Sequence, residues 1–315
     1  MINTFQCYNV KRQRKIIFFA IFLFLFLPVT LNAKVFEFSA SAGMRNTTVK
    51  EFVYQDDYTL SRLDWNADLI PILNANARFD FFNIVTDLSL LAGLPVKIGS
   101  MQDYDWNGTD KSKVTDFSTH DLEVNYLFEA ELKTGYNFNI LSSNVPVKLK
   151  LLPQAGFLFR VQKFEGMDGY GQYASKNNVT YWNESLKKTE FSGSVITYEQ
   201  FYYLPFISLE ANCVPISFLN LKLYGRFYPL AIAEAFDSHL QRNTIFDDYM
   251  NNGIGFSAGT EVCFKNFALS FCYEWLKWDT GKTLSGIIDS GNYYTENTTP
   301  GLSSSTFSLM LSYKF

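Results

Sequence analysis

The chain has 315 residues, a formal net charge of −4 and an aromatic content of 17%, with 31 Phe and 19 Tyr. A charge this close to neutral excludes a broad basic surface, so we expect no nucleic-acid partner. The mean hydropathy is near zero, and no apolar run after residue 33 is long enough for a membrane helix. This combination is typical of many strands that have one apolar and one polar face.

The first 33 residues have the composition of a secretory signal peptide. Basic residues between positions 11 and 15 precede an apolar run over 16–27, and Ala33 closes a plausible cleavage site. An N-terminal membrane anchor is the alternative, but the run is short for a membrane span. We therefore predict a signal peptide over 1–33 and a mature outer-membrane β-barrel domain over 34–315.

The end of the chain carries the clearest strand signal. Apolar residues alternate with small or polar ones at Phe307, Leu309, Leu311, Tyr313 and Phe315. Alternation that ends in a terminal aromatic residue is typical of an outer-membrane barrel strand. An edge strand of a soluble sandwich is the alternative, and it leaves the signal peptide unexplained.

Similar patterns predict ten strands, near 35–54, 59–79, 84–98, 121–138, 146–164, 196–212, 218–236, 253–265, 267–279 and 303–315. Short connections alternate with long polar ones, which we place near 99–120, 165–195, 237–252 and 280–302. An even strand count leaves no open edge in lipid. The sequence thus predicts an all-β fold, a ten-stranded antiparallel transmembrane β-barrel with long extracellular loops, in the cell outer membrane.

Two cysteines flank a predicted turn at residues 265–266. A two-residue turn places Cys263 opposite residue 268 and Cys272 opposite residue 259, so we predict no disulfide between them. No cluster of cysteine or histidine has zinc spacing, and we expect neither a metal nor a cofactor.

Two acidic motifs lie far apart in the chain but follow strands of the same direction. Asp103 and Asp105 follow the third strand, Asp237 and His239 follow the seventh, and Glu51 lies near the end of the first. Odd-numbered strands all run outward, so the five side chains should reach one rim of the barrel. Each motif alone is common, and its ordinary interpretation is a solvated loop.

Further sequence blocks occur in a fixed order: T-V-K-E-F-V-Y at 48–54, S-R-L-D-W at 61–65, D-Y-D-W at 103–106, V-T-D at 114–116, N-Y at 125–126, L-P-F-I at 204–207 and D-S-H at 237–239. In order and approximate spacing the chain resembles the omptin family of outer-membrane endopeptidases. The resemblance implies a ten-stranded barrel that cuts peptide bonds next to Arg or Lys. The expected partners are therefore cationic peptide or protein substrates, and we expect a monomer whose active site faces outside.

The resemblance also implies roles for particular residues. Asp103 and Asp105 match the catalytic aspartate pair of the family, and Asp237 and His239 match its Asp–His dyad. The implied substrate-binding acids are Glu51, for the basic residue before the cut, and Asp116, for the residue after it.

The chemistry can be stated from the residue types. His239 would take a proton from water near neutral pH, while Asp237 would orient the imidazole. Asp103 would hold and aim the water, and Asp105 would couple to its titration. Further acids near the rim would attract cationic peptides, although Asp247 and Asp248 are expected only to solvate a loop.

Some positions depart from the family pattern. A pocket acid of well-known omptins is Ala235 here, which puts the strictness of the Arg or Lys preference in doubt. The positions that contact lipopolysaccharide in the family are apolar around Phe157–Val161 and at Phe201. Outer-membrane lipid remains an expected partner, without an expected dependence on lipopolysaccharide. His120 and Asp121 suggest a structural pair in the second loop.

Two other functions compete with the peptidase. A catalytically inactive barrel could act as an adhesin or receptor through its loops. A pore is disfavoured because side chains largely fill the lumen of a ten-stranded barrel.

Overall fold

The computed structural model of the chain describes residues 35–141, 147–177, 179–216, 218–288, 290 and 292–315. The predicted signal peptide lies outside these residues. The described part of the chain contains fifteen strands: β1 Val35–Gln55, β2 Tyr58–Phe81, β3 Ile84–Gly93, β4 Val96–Asp105, β5 Asp116–Tyr136, β6 Phe138–Asn139, β7 Lys148–Tyr173, β8 Thr189–Glu190, β9 Ser194–Ile216, β10 Leu219–His239, β11 Thr244–Phe264, β12 Phe267–Trp278, β13 Lys282–Ile287, β14 Tyr293–Thr295 and β15 Thr299–Lys314. Within these ranges no helix is both long enough and apolar enough to cross a membrane.

The long strands form one antiparallel sheet that closes on itself. Around the ring, β1 is followed by β2, by β3 with β4, and then by β5, β7, β9, β10 and β11. The ring continues through β12 with β13 to β15, which pairs with β1. The described strands therefore make a ten-stranded antiparallel barrel, which confirms the predicted fold class.

The outer surface of the barrel carries a band of exposed apolar side chains. On β15 the exposed residues include Phe307, Leu309 and Leu311, whereas the inward-facing Ser308 is buried. In a barrel of this type such a band faces lipid. Along β1 the band ends near Met44, and the next outward positions, Asn46, Thr48 and Lys50, are polar.

The strands continue well beyond the apolar band. β4 reaches Asp105, β5 begins at Asp116 and β7 extends to Tyr173. The predicted long connections near 99–120, 165–195 and 237–252 are therefore wrong in extent, because much of each is paired strand. Above the membrane, polar side chains occur on both faces, as at the outward Lys50 and the inward Glu51 of β1, so the apolar alternation is interrupted there. We call this end of the barrel the loop rim.

The connections at the loop rim are shorter than predicted. They span 56–57, 106–115, 174–193, 240–243 and 279–298. The third of these contains β8, and the last contains β13 and β14. Single turns of 3-10 helix follow two of the strands, at Ser175–Asn177 and Leu240–Arg242.

The interior of the barrel has three layers. The lower lumen is a cavity of about 530 Å³ lined mainly by charged and polar side chains. Above it lies a layer of fully buried large residues, the apolar floor, made of Tyr202, Tyr228, Leu276, Trp278 and Leu302. A second cavity, of about 370 Å³, lies at the loop rim and shares no lining residue with the first.

The register of the turn after β11 is as predicted. Cys263 lies opposite Ala268, and Cys272 lies opposite Gly259. Both thiols are free, as is that of Cys213.

Candidate active site

The aspartate pair lies at the outer end of β4. Asp103 is paired with Leu63 of β2 and with Ser118 of β5. Because side chains two residues apart point to the same side of a strand, Asp105 follows Asp103 on the inward face. The Ser61 hydroxyl donates a hydrogen bond to Asp103 Oδ1 at 3.3 Å, which positions that carboxylate.

The Asp–His pair lies at the outer end of β10. His239 Nε2 and Asp237 Oδ2 are 2.7 Å apart, and Asp237 is only 3% exposed. A neutral imidazole in this contact donates from Nε2 to the carboxylate, which leaves Nδ1 as the basic nitrogen. The edge of the ring packs against Phe246, with the ring centroids 5.5 Å apart.

Closure of the barrel brings these distant motifs to one cavity. Asp103, Asp105, Asp116 and His239 all line the cavity at the loop rim. Asp237 lies directly behind His239 through their hydrogen bond. The common rim that strand direction predicts is therefore the one observed.

The two motifs also interact electrostatically. Burial, and then the negative charge of Asp105, raise the pKa of Asp103 to about 8, although His239 opposes the shift. Burial likewise raises the pKa of Asp105. Burial opposes charging of His239. The charge and hydrogen bond of Asp237, together with the charge of Asp103, outweigh this effect, so the pKa of the imidazole is raised.

Glu51 lies on the inward face of β1, outside the lining of the rim cavity and 3% exposed. Burial raises the pKa of Glu51 well above its ordinary value, and the charges of Asp237, Asp248 and Asp103 raise it further. Glu51 therefore belongs electrostatically to the same acidic group as the aspartate pair and the dyad.

Asp116 lies at the start of β5 and anchors the neighbouring connections. Its Oδ1 accepts a hydrogen bond from the backbone N–H of Ala174 at 3.1 Å, and its Oδ2 accepts from the Thr115 hydroxyl at 3.3 Å. It also lines the rim cavity, so it combines a structural contact with access to a bound molecule.

The expected pair of His120 and Asp121 in the second loop is wrong. His120 lies within β5 and faces inward, while the exposed Asp121 faces outward. The ring nitrogens of His120 contact the Asp168 carbonyl oxygen at 2.6 Å and the Ser118 hydroxyl at 3.0 Å. Burial lowers the pKa of His120, so the ring is a neutral, hydrogen-bonded part of the cavity wall.

The model of the omptin family matches residues 32–315. The chain belongs to the omptin family. Its structure is similar to that of the outer membrane protease OmpT from Escherichia coli, with a TM-score of 0.74 at 18% identity over 90% of this chain and 98% of that one. The family and the shared fold together support an outer-membrane protease.

Other solved barrels are less similar. The outer membrane protein OprG from Pseudomonas aeruginosa has a TM-score of 0.38 at 10% identity, over 90% of this omptin and 97% of that chain. Neisserial surface protein A has a TM-score of 0.24 at 8% identity, over 88% and 97%. The comparison with curated protein sequences finds no significant match.

The structure adds residues of this omptin that the sequence motifs missed. Tyr173 and Arg242 line the rim cavity, and Arg242 acts electrostatically on Asp103. Asp248 is buried on the inward face of β11, so the expectation that it solvates a loop is wrong. Apolar alternation does not extend to this part of β11, so the sequence carries no periodic signal for the position.

Among the residues that the structure describes, no group of His, Cys, Asp or Glu has an arrangement that could hold a metal ion.

Proposed function

We propose that this omptin is an endopeptidase of the cell outer membrane that cleaves peptide bonds next to basic residues, with its active site facing outside. The supporting observation is the convergence of Asp103 and the hydrogen-bonded Asp237–His239 pair at one cavity on the loop rim. A base, its orienting acid and a second carboxylate are the groups needed to activate water.

In this mechanism the nucleophile is a water molecule between Asp103 and His239. His239 Nδ1 takes one proton of the water as its oxygen forms a bond to the peptide carbonyl carbon. Asp237 holds the imidazole through Nε2 and stabilises its charged form. The ionised Asp103 accepts the other hydrogen bond of the water, and the imidazolium then gives its proton to the departing amine. No covalent acyl intermediate forms.

The acidic surroundings favour a cationic substrate. Glu51 receives the basic residue before the cut, and Asp116 holds the residue after it. Buried carboxylates close to one another attract Lys and Arg side chains, and a negative cleft accelerates the arrival of basic peptides.

The test uses the purified, folded barrel in detergent and a fluorogenic peptide with two adjacent basic residues. We expect Asp103→Ala and His239→Ala each to lower kcat/KM by at least about a thousandfold, the scale of losing a member of a catalytic group. The matched control is Asp121→Ala, on the outward face of β5, which should keep wild-type activity. Heat-dependent mobility on gels reports whether each barrel is folded.

A wild type no faster than the two catalytic variants contradicts the proposal and favours an inactive adhesin or receptor. Orientation is tested separately, with intact cells. Cells that express the wild type should cut an added impermeant peptide, and cells that express His239→Ala should not.

A further inference from the structure

Position 235 presents only a methyl group on the acidic face of β10. Directly across the antiparallel pair, the partner of Ala235 on β11 is Asp248. Side chains of directly opposed residues lie about 4.5–5.5 Å apart at Cβ and share one face of the sheet. Asp248 therefore places a carboxylate beside the position on β10 that lacks one.

The carboxylate of Asp248 is held in place from its other side. Thr283 of β13 is its opposite cross-strand partner, and the Thr283 hydroxyl donates to Asp248 Oδ1 at 2.5 Å. Asp248 is 4% exposed. Its charge acts on Glu51 and on Tyr198, so the three side chains lie close together around one region of the barrel interior.

The polar atoms around this region lack partners. Glu51 Oε2, Asp237 Oδ1 and the Tyr198 hydroxyl are all buried without a hydrogen bond. Buried polar groups in native structures are nearly always hydrogen-bonded, so three unpartnered atoms together indicate a partner that is not part of the chain. The missing partner must satisfy several acceptors at once.

The acidic side chains and the aromatic wall of this region indicate that the missing partner is a cation. None of the ion pairs in the described part of the chain joins Arg or Lys to Glu51, Asp237 or Asp248. One wall is aromatic, because Trp65 lies stacked between Tyr198, with centroids 5.3 Å apart, and Phe164, with centroids 6.2 Å apart. An aromatic wall of this kind packs well against the alkyl stem that carries a cationic group.

We propose that Asp248 supplies the second carboxylate of the subsite that receives the basic side chain before the cut, opposite Glu51 and against the Trp65–Tyr198 wall. This inference rests on the proposed function and deepens it, because it assigns the preference for Arg or Lys to a strand other than the one that carries Ala235. The substrate cation donates hydrogen bonds to the unpartnered acceptors.

The experiment compares two peptides that differ only in having Arg or the uncharged Gln before the cut. Asp248→Asn preserves the size of the side chain and its acceptor for Thr283. We expect it to reduce the Arg-to-Gln ratio of kcat/KM by about ten- to a hundredfold, the range for one lost contact to a charged group. Asp247→Asn, on the outward face of the same strand, is the matched control and should keep the wild-type ratio.

A second variant moves the carboxylate across the strand pair. In the double variant Ala235→Asp with Asp248→Asn, we expect the Arg-to-Gln ratio to recover to within a few-fold of wild type. Heat-dependent gel mobility confirms that each barrel is folded.

The outcomes separate this inference from the proposed function. If wild type cuts and Asp103→Ala does not, but Asp248→Asn keeps the full ratio, the inference is overturned and the peptidase stands. A double variant whose ratio stays at the level of Asp248→Asn also contradicts it. A wild type that cuts neither peptide overturns both.

Discussion

The lower lumen and the loop rim both bury carboxylates, but the two regions differ in whether these carboxylates are paired with arginine. In the lower lumen Glu129 lies 2.7 Å from Arg45 and 2.5 Å from Arg160, and Glu131 lies 2.7 Å from Arg226. At the loop rim Glu51 and Asp248 have no such partner among the described ion pairs. Burial instead raises the pKa of Asp248 to about 7 and that of Glu51 well above its ordinary value.

The difference separates structural charge from functional charge. Breaking a buried ion pair by removing one partner is strongly destabilising, whereas an unpaired buried charge already costs stability in the native state. Proteins keep costly local arrangements mainly where function requires them. The contrast therefore supports the proposal that the rim acids, rather than the lumen acids, act on a substrate.

The largest expected effect on stability comes from removing a positive charge from the ion pairs of the lower lumen. Arg160 contacts both Glu129 and Glu274, the latter at 2.7 Å. Arg160→Ala leaves Glu274 without a counter-charge and should lower the free energy of unfolding by about 3–5 kcal/mol. Denaturant unfolding of the barrel in detergent measures it. Lys113→Ala, which removes the surface pair with Asp110, should change the value by about 1 kcal/mol or less.

Removing a buried acid at the loop rim should not lower the free energy of unfolding. Glu51→Gln replaces an acid whose ionisation is opposed by burial and by three other acids, so the free energy of unfolding should stay equal or rise, while cleavage of basic peptides weakens. If Glu51→Gln destabilises the barrel as much as Arg160→Ala does, the distinction between the two regions is wrong.

An intermediate effect is expected in the pH dependence of stability. The pKa of Asp103 is 3.8 in its ordinary state and about 8 in the fold, so the fold binds an extra proton between these values and loses stability as pH rises through that range. The groups that act on Asp103 are Asp105, His239, Arg242 and Asp237. The raised pKa of His239 acts in the same direction, since its contribution is complete below its ordinary pKa of 6.5 and is lost as pH rises.

The measurement is the Tm of the detergent-solubilised barrel from pH 5 to pH 8.5, where each kcal/mol corresponds to about 2–4 °C for a chain of this size. The wild-type Tm should fall across this range, and Asp103→Asn should flatten the slope. In the same range kcat/KM of the wild type should rise, because the mechanism needs an ionised Asp103 and a neutral His239. An equal slope in Asp103→Asn would exclude Asp103 as its source.

The smallest effect concerns the support of Asp103. Ser61→Ala removes the 3.3 Å hydrogen bond to Oδ1, a contact worth about 0.5–1.5 kcal/mol. We expect kcat/KM to fall by about two- to tenfold, with little change in KM. Ser61→Thr, which keeps the hydroxyl, should recover most of the loss, and a variant that loses activity without recovery by Thr would instead point to a packing defect.

The parts of the fold that face lipid could be predicted from sequence. Lipid requires an apolar residue at every second position, so strands such as β15 are visible as alternation. The direction of the strands is then enough to predict that Asp103 and His239 reach one rim, although it gives no distance between them.

The polar extensions above the lipid could not be predicted in the same way. β11 begins at Thr244, but apolar alternation is visible only from about residue 253, so Asp248 was assigned to a loop. Its pairing with Ala235 also depends on irregularities between Tyr228 and Ala231 and between Ala231 and Ala233. Such bulges shift the register and leave no periodic signal in the sequence.

The apolar floor gives the proposed active site access from one side of the membrane. Tyr202, Tyr228 and Trp278 are fully buried inside the barrel, and the rim cavity shares no lining residue with the lower lumen. Under the proposed function, a peptide therefore enters and leaves the site from the loop rim. The peptide lies across the mouth of the barrel, and both cleavage products leave on the side from which the substrate arrived. Hydrolysis can therefore proceed without opening a leak between the two compartments.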